Sequence, residues 1–291
     1  MDRQGLSVDA AQLLGPAQIR ELADQLGLTP TKKLGQNFVH DPNTVRKIVR
    51  LAGLDSDPGQ TVLEIGPGLG SLTLGLTEQG AKVVAVEIDP RLATQLPRTV
   101  AALQPEAQLS VITEDALRVT REQVTVAAGE PTALVANLPY NVSVPILLHL
   151  LAELPTLRSG LVMVQQEVGE RIAATPGSKA YGAPSVKAAW YGHFEVAGTV
   201  SRQIFWPVPN VDSNLVRFTR HATPLGDDSE RERVFALVNT AFTQRRKMVR
   251  QSLKSQLADP PRVLAAARVS ETARAEDLTI HDFLAISRES V

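Results

Sequence analysis

Between residues 61 and 165 the chain alternates short apolar runs with longer stretches of helical periodicity, and that alternation leaves few folds open. The runs are Thr61–Ile65, Lys82–Ile88, Leu109–Glu114, Ala133–Ala136 and Leu161–Gln165. They are too short for helices, and most are too uniformly apolar for strands wetted on one face. They read as parallel strands covered on both sides. The intervening helical signals supply the crossovers, so the expected architecture is α/β, with a doubly wound, mostly parallel sheet.

The rest of the chain is arranged around that core. With 291 residues, 43% of them apolar, and about 150 residues per domain, one large or two unequal domains are expected. A polar lead-in carries one amphipathic helix, Pro16 to Gly27. Asp41 caps a second helix, with Pro42 at its first position, running to about Leu51. Pro145 opens the helix after Tyr140, and Pro97 should leave the helix after Pro90 kinked or short. Val196–Phe205 and Asn214–Thr219 read as an antiparallel hairpin at the sheet edge. Pro224–Ser229 reads as a linker. Beyond it, Glu230–Thr243, Arg245–Leu257, Pro261–Ala267 and His281–Ser287 suggest a small helical domain, giving expected domains of 1–223 and 224–291.

There is no cysteine, which excludes disulfides, thiolate metal sites and a thiol nucleophile and fits a reducing cytoplasm. No apolar run approaches the ~20 residues of a membrane span. Met1-Asp2-Arg3-Gln4-Gly5 does not begin a basic-then-apolar leader. The expected location is therefore the cytoplasm.

The stretch Ala136-Asn137-Leu138-Pro139-Tyr140 follows the fourth apolar run, and open α/β sheets place ligands just past the carboxyl ends of their strands. An asparagine oxygen and a backbone carbonyl that proline leaves unsatisfied can accept the two N–H bonds of an exocyclic amine. A tyrosine face can stack on the ring that bears it. The same residues also suit an Asx turn closed by proline.

Gly66-Pro67-Gly68-Leu69-Gly70 is a glycine turn between the first strand and a helix over Leu69–Thr77. NAD, FAD and S-adenosylmethionine proteins all use such turns. Pro67 and the acidic Glu64 argue against a pyrophosphate, whereas a cofactor with a sulfonium and an amino group tolerates a carboxylate. Glu87 ends the next strand about 20 residues on, where an acid takes ribose hydroxyls. Asp115 ends the third strand and can accept from an adenine amino group. Each acid alone would also serve as a strand-end cap.

The net charge is −1, but Lys179 to Lys254 hold 12 Lys and Arg against 6 Asp and Glu, an excess of +6 that leaves −7 for the remainder. A basic region in a neutral protein can bind phosphate. Arg245, Arg246, Lys247, Arg250 and Lys254 fall on one expected helical stretch, which would equally make a solvated face.

Eight segments together resemble the bacterial ribosomal RNA adenine dimethyltransferases. They are Lys33-Leu34-Gly35-Gln36-Asn37-Phe38, Glu64 to Gly70, Glu87-Ile88-Asp89, Glu114-Asp115-Ala116, Asn137-Leu138-Pro139-Tyr140, Gln166 to Arg171, Pro207 to Ser213 and Ala241 to Lys247. They run in the family's order over roughly residues 30 to 255. The resemblance implies a Rossmann-like methyltransferase sheet with S-adenosylmethionine as cofactor and no metal. It implies cofactor contacts from Asn37, Val39, Gly66, Gly68, Glu87, Asp115 and Asn137. Position 39 is usually leucine in that family and is valine here; His40, also less usual, receives no role.

The resemblance further implies N6,N6-dimethylation of two adjacent adenines in the 3′-terminal hairpin of small-subunit (16S) ribosomal RNA, by a monomer acting on the 30S precursor. Asn137, Leu138, Pro139 and Tyr140 would hold the flipped adenine. Phe205 would cover its other face, or else pack in the core. Lys32, Lys33, Arg245, Arg246, Lys247 and Arg250 would contact RNA phosphates. Three other readings stand beside this one: the same chemistry on large-subunit RNA, an assembly factor whose binding outweighs its methylation, and an NAD oxidoreductase resting on the glycine turn alone.

Overall fold

The computed structural model describes residues 12–28, 37–54 and 59–290. In chain order the elements are α1 (Pro16–Gln25), β1 (Phe38–Val39), α2 (Pro42–Ala52), β2 (Thr61–Ile65), α3 (Ser71–Glu78), β3 (Lys82–Glu87), α4 (Pro90–Leu103), β4 (Leu109–Thr113), α5 (Arg121–Ala128), β5 (Ala133–Asn137), α6 (Ser143–Glu153) and β6 (Ser159–Gln165). They continue with α7 (Gln166–Ile172), α8 (Ala183–Ala189), β7 (Gly192–Val200), β8 (Phe205–Trp206), β9 (Ser213–Arg220), α9 (Asp228–Thr243), α10 (Val249–Ser252), α11 (Pro260–Ala266) and α12 (Ile280–Glu289).

All of the apolar runs but β4, the half-buried edge strand, are buried on both faces. Val62, Leu63, Val83, Val84, Leu134, Val135 and Val162 are each at most 1% exposed, and each such side chain contributes roughly 1.5–3 kcal/mol through burial. The sheet order is β4-β3-β2-β5-β6-β9-β7, and every pair from β4 to β6 is parallel. The chain therefore moves outward from β2 to β4, then returns to lay β5 on the other side of β2. That reversal opens a crevice at the carboxyl ends of β2 and β5, where doubly wound sheets bind ligands.

Local chemistry sets the helix starts. Asp41 accepts from the Thr44 N–H at 2.9 Å with Pro42 at the first turn, and Asp89 accepts from the Arg91 N–H at 2.9 Å ahead of Pro90. Pro97 does not shorten its helix: α4 runs 14 residues through it. Leu92, Ala93, Leu96 and Val100 are all buried, and that packing outweighs the ~3 kcal/mol an interior proline costs.

The expected hairpin segments do pair at the sheet edge, β9 beside β7, but the extent of the first arm is corrected. β7 stops at Val200, a 3-10 turn spans Arg202–Ile204, and Phe205–Trp206 leaves the main sheet to pair antiparallel with β1, Phe38 opposite Trp206 and Val39 opposite Phe205. β9 lies between β6 and the edge strand β7.

The chain divides into two compact units, one of 1–164 with 199–215, the other of 165–198 with 216–291. The second is larger than the expected 224–291. Its aromatic contacts give the reason. Phe235 of α9 sits edge-on to Trp190 and Tyr191 at the end of α8, with centroids 6.2 and 6.3 Å apart, and Phe242 sits edge-on to Tyr181 at 6.2 Å. α8 thus belongs to the core of the C-terminal helices. The expected helix over Arg245–Leu257 shrinks to α10. Arg245, Arg246 and Lys247 lie in a turn, because Met248 bridges to Arg274 and draws the backbone out of helical register.

Candidate active site

The crevice at the sheet reversal is a cavity of about 260 Å³. All seven residues expected to touch the cofactor line it: Asn37, Val39, Gly66, Gly68, Glu87, Asp115 and Asn137. They come from four strand ends and the β1 segment, so no local pattern could have assembled them.

The glycine turn is shaped by its approach to other residues. Gly66 has φ +64°, and a Cβ there would lie 3.9 Å from the Asn137 carbonyl across the reversal. Gly68 has φ +58°, and a Cβ there would lie 2.9 Å from the Phe38 ring. Phe38 is in turn stacked on Trp206 with centroids 6.3 Å apart. Only glycine combines a positive φ with that close approach.

The acids are not used as simple charges. Glu87 is buried; its Oε2 accepts from the Gly68 N–H at 3.1 Å and its Oε1 from the Asp89 N–H at 3.0 Å. Burial pushes its carboxyl up, against those backbone bonds. Glu64 lines the floor, 1% exposed, and accepts from Thr73 Oγ1 at 2.7 Å. Desolvation, with the nearby Glu87 adding, pushes it up to about 8. At neutral pH Glu64 is therefore largely protonated, and repulsion by its charge does not exclude a pyrophosphate. Occupancy of the loop does so instead: the Gly68 N–H that a phosphate would take is already bonded to Glu87, and Pro67 has no N–H to give.

Asp115 lies two residues past β4. Its Oδ1 accepts from the Leu117 N–H at 2.9 Å, and its Oδ2 is unpaired among the described residues. Ile88, Leu117, Val142 and Ile146 add apolar wall. None of them has a role at the site on sequence grounds: Ile88 reads as the last residue of a buried strand, and its 52% exposure emerges only in the fold.

At the end of β5, Asn137 Nδ2 donates to the Asn37 backbone carbonyl at 3.1 Å, while the buried Oδ1 has no partner among the described residues. The Leu138 N–H donates to the Met163 carbonyl at 3.0 Å, and its own carbonyl accepts nothing among the described residues. Pro139 accepts from the Val142 N–H at 3.2 Å, turning the chain into α6. Tyr140 is half-buried with its hydroxyl 2.6 Å from Ser213 Oγ. The segment before the site is clamped as well. Ser71 Oγ donates to the Val39 carbonyl at 2.5 Å, and the His40 N–H to the Ile204 carbonyl at 3.0 Å. Val39 is thus fixed through its backbone, so replacing the family's usual leucine leaves these bonds unchanged.

Phe205 is corrected. It is fully buried and absent from the cavity wall; its backbone pairs with Val39 and its ring is core. Among the basic candidates, Lys32 and Lys33 lie outside the described residues. Arg245 pairs with Glu276 at 2.7 Å and donates to the Lys179 carbonyl, and Arg250 pairs with Glu271 at 3.1 Å. Arg246 and Lys247 are exposed and make no ion pair among the described residues. Among those residues no group of three or more His, Asp or Glu could hold a metal, and no helix is long and apolar enough to cross a membrane.

Comparison with known proteins follows the same line. A family model described as "Ribosomal RNA adenine dimethylase" matches residues 28–290. A protein named "Ribosomal RNA small subunit methyltransferase A" from Leifsonia xyli subsp. xyli is 63% identical over 281 residues, covering 95% of this chain and 98% of its own. One of the same name from Rhodococcus opacus is 53% identical over 284 residues, 95% of this chain and 94% of its own. The crystal structure of the 23S rRNA methyltransferase ErmE is similar with a TM-score of 0.64 at 29% identity, covering 87% of this chain and 99% of that one. A dimethyladenosine transferase from Plasmodium falciparum shares the fold, with a TM-score of 0.72 at 22% identity, covering 86% and 95% of the two chains.

Proposed function

Because the chain belongs to the ribosomal RNA adenine dimethylase family, we propose that its cavity and the Asn137–Tyr140 turn together dimethylate N6 of two adjacent adenines in the 3′-terminal hairpin of small-subunit ribosomal RNA. It is an S-adenosylmethionine-dependent methyltransferase. The observation that carries the reading is the orientation of Asn137: a buried amide oxygen without a partner among the described residues, at the end of β5, on the wall of the cofactor cavity.

The residues fit that cofactor. Glu87 and Asp115 Oδ2, the latter unpaired among the described residues, are acceptors spaced along successive strand ends, suited to ribose hydroxyls and an adenine amino group. Gly66 and Gly68 leave room for close approach, Asn37 and Val39 close the near wall, and Glu64 can ionise against a cation. When bound, the cofactor supplies a methyl group on a positively charged sulfur.

The protein's task is then to present the adenine amine. That nitrogen is a weak nucleophile because its lone pair is delocalised into the ring. Asn137 Oδ1 accepts one N–H and the Leu138 carbonyl the other, drawing the nitrogen toward a tetrahedral geometry and aiming its lone pair. Pro139, its φ fixed by the ring, holds the turn that leaves that carbonyl without a partner among the described residues. Tyr140 stacks on the flipped base. Phe205 serves through its backbone, holding Val39 on the cavity wall. No strong base is required, since the alkylated amine releases its proton readily once charged.

RNA contact is assigned to the exposed Arg246 and Lys247, with Arg245 and Arg250 holding their turn and Lys32 and Lys33 adding charge from the N-terminal segment. Phosphate contacts position a folded RNA that is read by shape. The same reading makes the enzyme a monomer working in the cytoplasm on the 30S precursor. The small-subunit relatives at 53–63% identity support this substrate. The 29% identity to ErmE favours a second reading, the same chemistry on large-subunit RNA. Tritium transfer from labelled cofactor to unmethylated 30S particles and to naked large-subunit RNA separates the two. Label in the 30S particles alone is expected, and label in the large-subunit RNA alone overturns the choice.

A further inference from the structure

The cavity accounts for Asn137 and the acids, but Tyr140 is held from elsewhere. Its ring is not part of the cavity wall, and its one polar atom lies 2.6 Å from the hydroxyl of Ser213, 73 residues away in sequence at the first position of β9. Ser213 is completely buried. The loop that delivers it is itself fastened: Asp212 Oδ1 accepts from the Arg202 N–H at 2.9 Å, and Arg202 Nη1 donates to the Asn210 carbonyl at 2.7 Å. A tyrosine ring turns about only two torsions, so a hydrogen bond at its far end, to a hydroxyl on a completely buried side chain, fixes where the ring axis points, and the preference of the phenolic O–H for the ring plane restrains rotation about that axis. Burial desolvates the phenol, so losing the partner leaves a polar group unsatisfied as well as a ring free to swing.

We propose that Ser213 is a positioning residue for methyl transfer, holding the Tyr140 ring in the place where the target adenine stacks on it. The inference rests on the reading of Tyr140 as the stacking face. It gives the Pro207–Ser213 segment a role in catalysis beyond that of a connector, although Ser213 touches neither cofactor nor base.

The experiment is a double-mutant cycle on the full-length enzyme, with kcat/KM for 30S particles, the cofactor Kd and the melting temperature measured for each variant. Ser213→Ala and Tyr140→Phe should each lower kcat/KM about tenfold, as expected for loss of one aligning hydrogen bond. The double variant should be no worse than either single one, because both remove the same bond. Cofactor Kd should stay within about twofold, and Ser213→Thr, which keeps the hydroxyl, should recover most of the rate. The proposal is overturned if the two losses multiply, if Ser213→Thr is as slow as Ser213→Ala, or if Ser213→Ala lowers only the melting temperature. Should Ser213→Ala not fold, Tyr140→Phe and Ser213→Thr still decide: wild-type kcat/KM in Tyr140→Phe overturns the proposal. Tyr140→Ala is the separate control. If it methylates at the wild-type rate, the stacking reading itself fails; if it is slow while Ser213→Ala is not, only the positioning role fails.

Discussion

The Asn137 amide donates to the backbone carbonyl of Asn37, and that one bond decides which end of the side chain faces the cavity. With Nδ2 committed, only Oδ1 remains to meet the adenine amine. Asn137→Ala should therefore lower methyl transfer at saturating cofactor by about a hundredfold or more, with a small change in melting temperature. Asn137→Asp keeps an acceptor but sets a carboxylate against the Asn37 carbonyl, and should be as slow as the alanine variant. Single-turnover rates test both, and an active aspartate variant would show that the bond to Asn37 is irrelevant.

Gly68 is the turn position with least room. A side chain there meets the Phe38 ring at 2.9 Å in a backbone conformation that costs about 1–2 kcal/mol outside glycine. Gly68→Ala should weaken cofactor binding by tenfold or more by calorimetry. Adding Phe38→Ala should recover only part of the loss, since the backbone strain remains; full recovery would mean the steric clash was the whole effect.

Glu64 makes the protein sensitive to pH. Its folded pKa, about 8, lies above the ordinary 4.5 because the group is desolvated. Between those values the folded state keeps a proton that the unfolded chain has lost. Stability is thus greatest at the acid end of this window and falls as pH rises toward 8, by up to ~1.4 kcal/mol per unit. Glu87, shifted up by burial, acts in the same direction. Glu64→Gln should flatten the Glu64 part of the slope in thermal melts from pH 5 to 8; melts parallel to wild type would contradict this. Cofactor affinity should rise through pH 8 in the wild type, because a nearby cation favours the ionised carboxyl, and should not do so in Glu64→Gln.

Arg246 and Lys247 are the exposed cations of the α9–α10 turn, whereas Arg245 and Arg250 are committed to Glu276 and Glu271. Arg246→Ala and Lys247→Ala should each weaken RNA binding and lower the slope of log K against log salt by roughly one, without changing cofactor Kd. Arg245→Ala should chiefly loosen the turn. Equal salt slopes for wild type and both exposed-cation variants would remove this turn from the RNA interface.

Local signals made most of the fold readable. β2 matches its expected limits to the residue, and the other core strands agree within one or two, because each is an apolar run bounded by turn residues. Asp41-Pro42 and Asp89-Pro90 announce their helices by cap and first-turn chemistry. What stayed hidden depends on distant partners. A two-residue strand such as β8 has no periodicity, so core packing stood only as the alternative for Phe205 and nothing marked its pairing with Val39. The turn at Arg245–Lys247 follows from a bridge to Arg274, 26 positions beyond Met248. Of the cavity-lining residues, Gly66, Glu87, Asp115 and Asn137 were legible because strand ends collect ligands, whereas Asn37 and Val39 were expected from the family resemblance alone. The bonds that orient the site, Asn37 to Asn137 and Ser213 to Tyr140, were not legible, since they span 100 and 73 residues.

The central claim is tested most directly by mass spectrometry of small-subunit ribosomal RNA from cells lacking this protein, complemented with wild type or with Asn137→Ala. Two neighbouring dimethylated adenines near the 3′ end should appear with wild type and be absent both without the protein and with Asn137→Ala. Dimethylated adenines that persist without the protein, or that Asn137→Ala restores in full, would contradict the account.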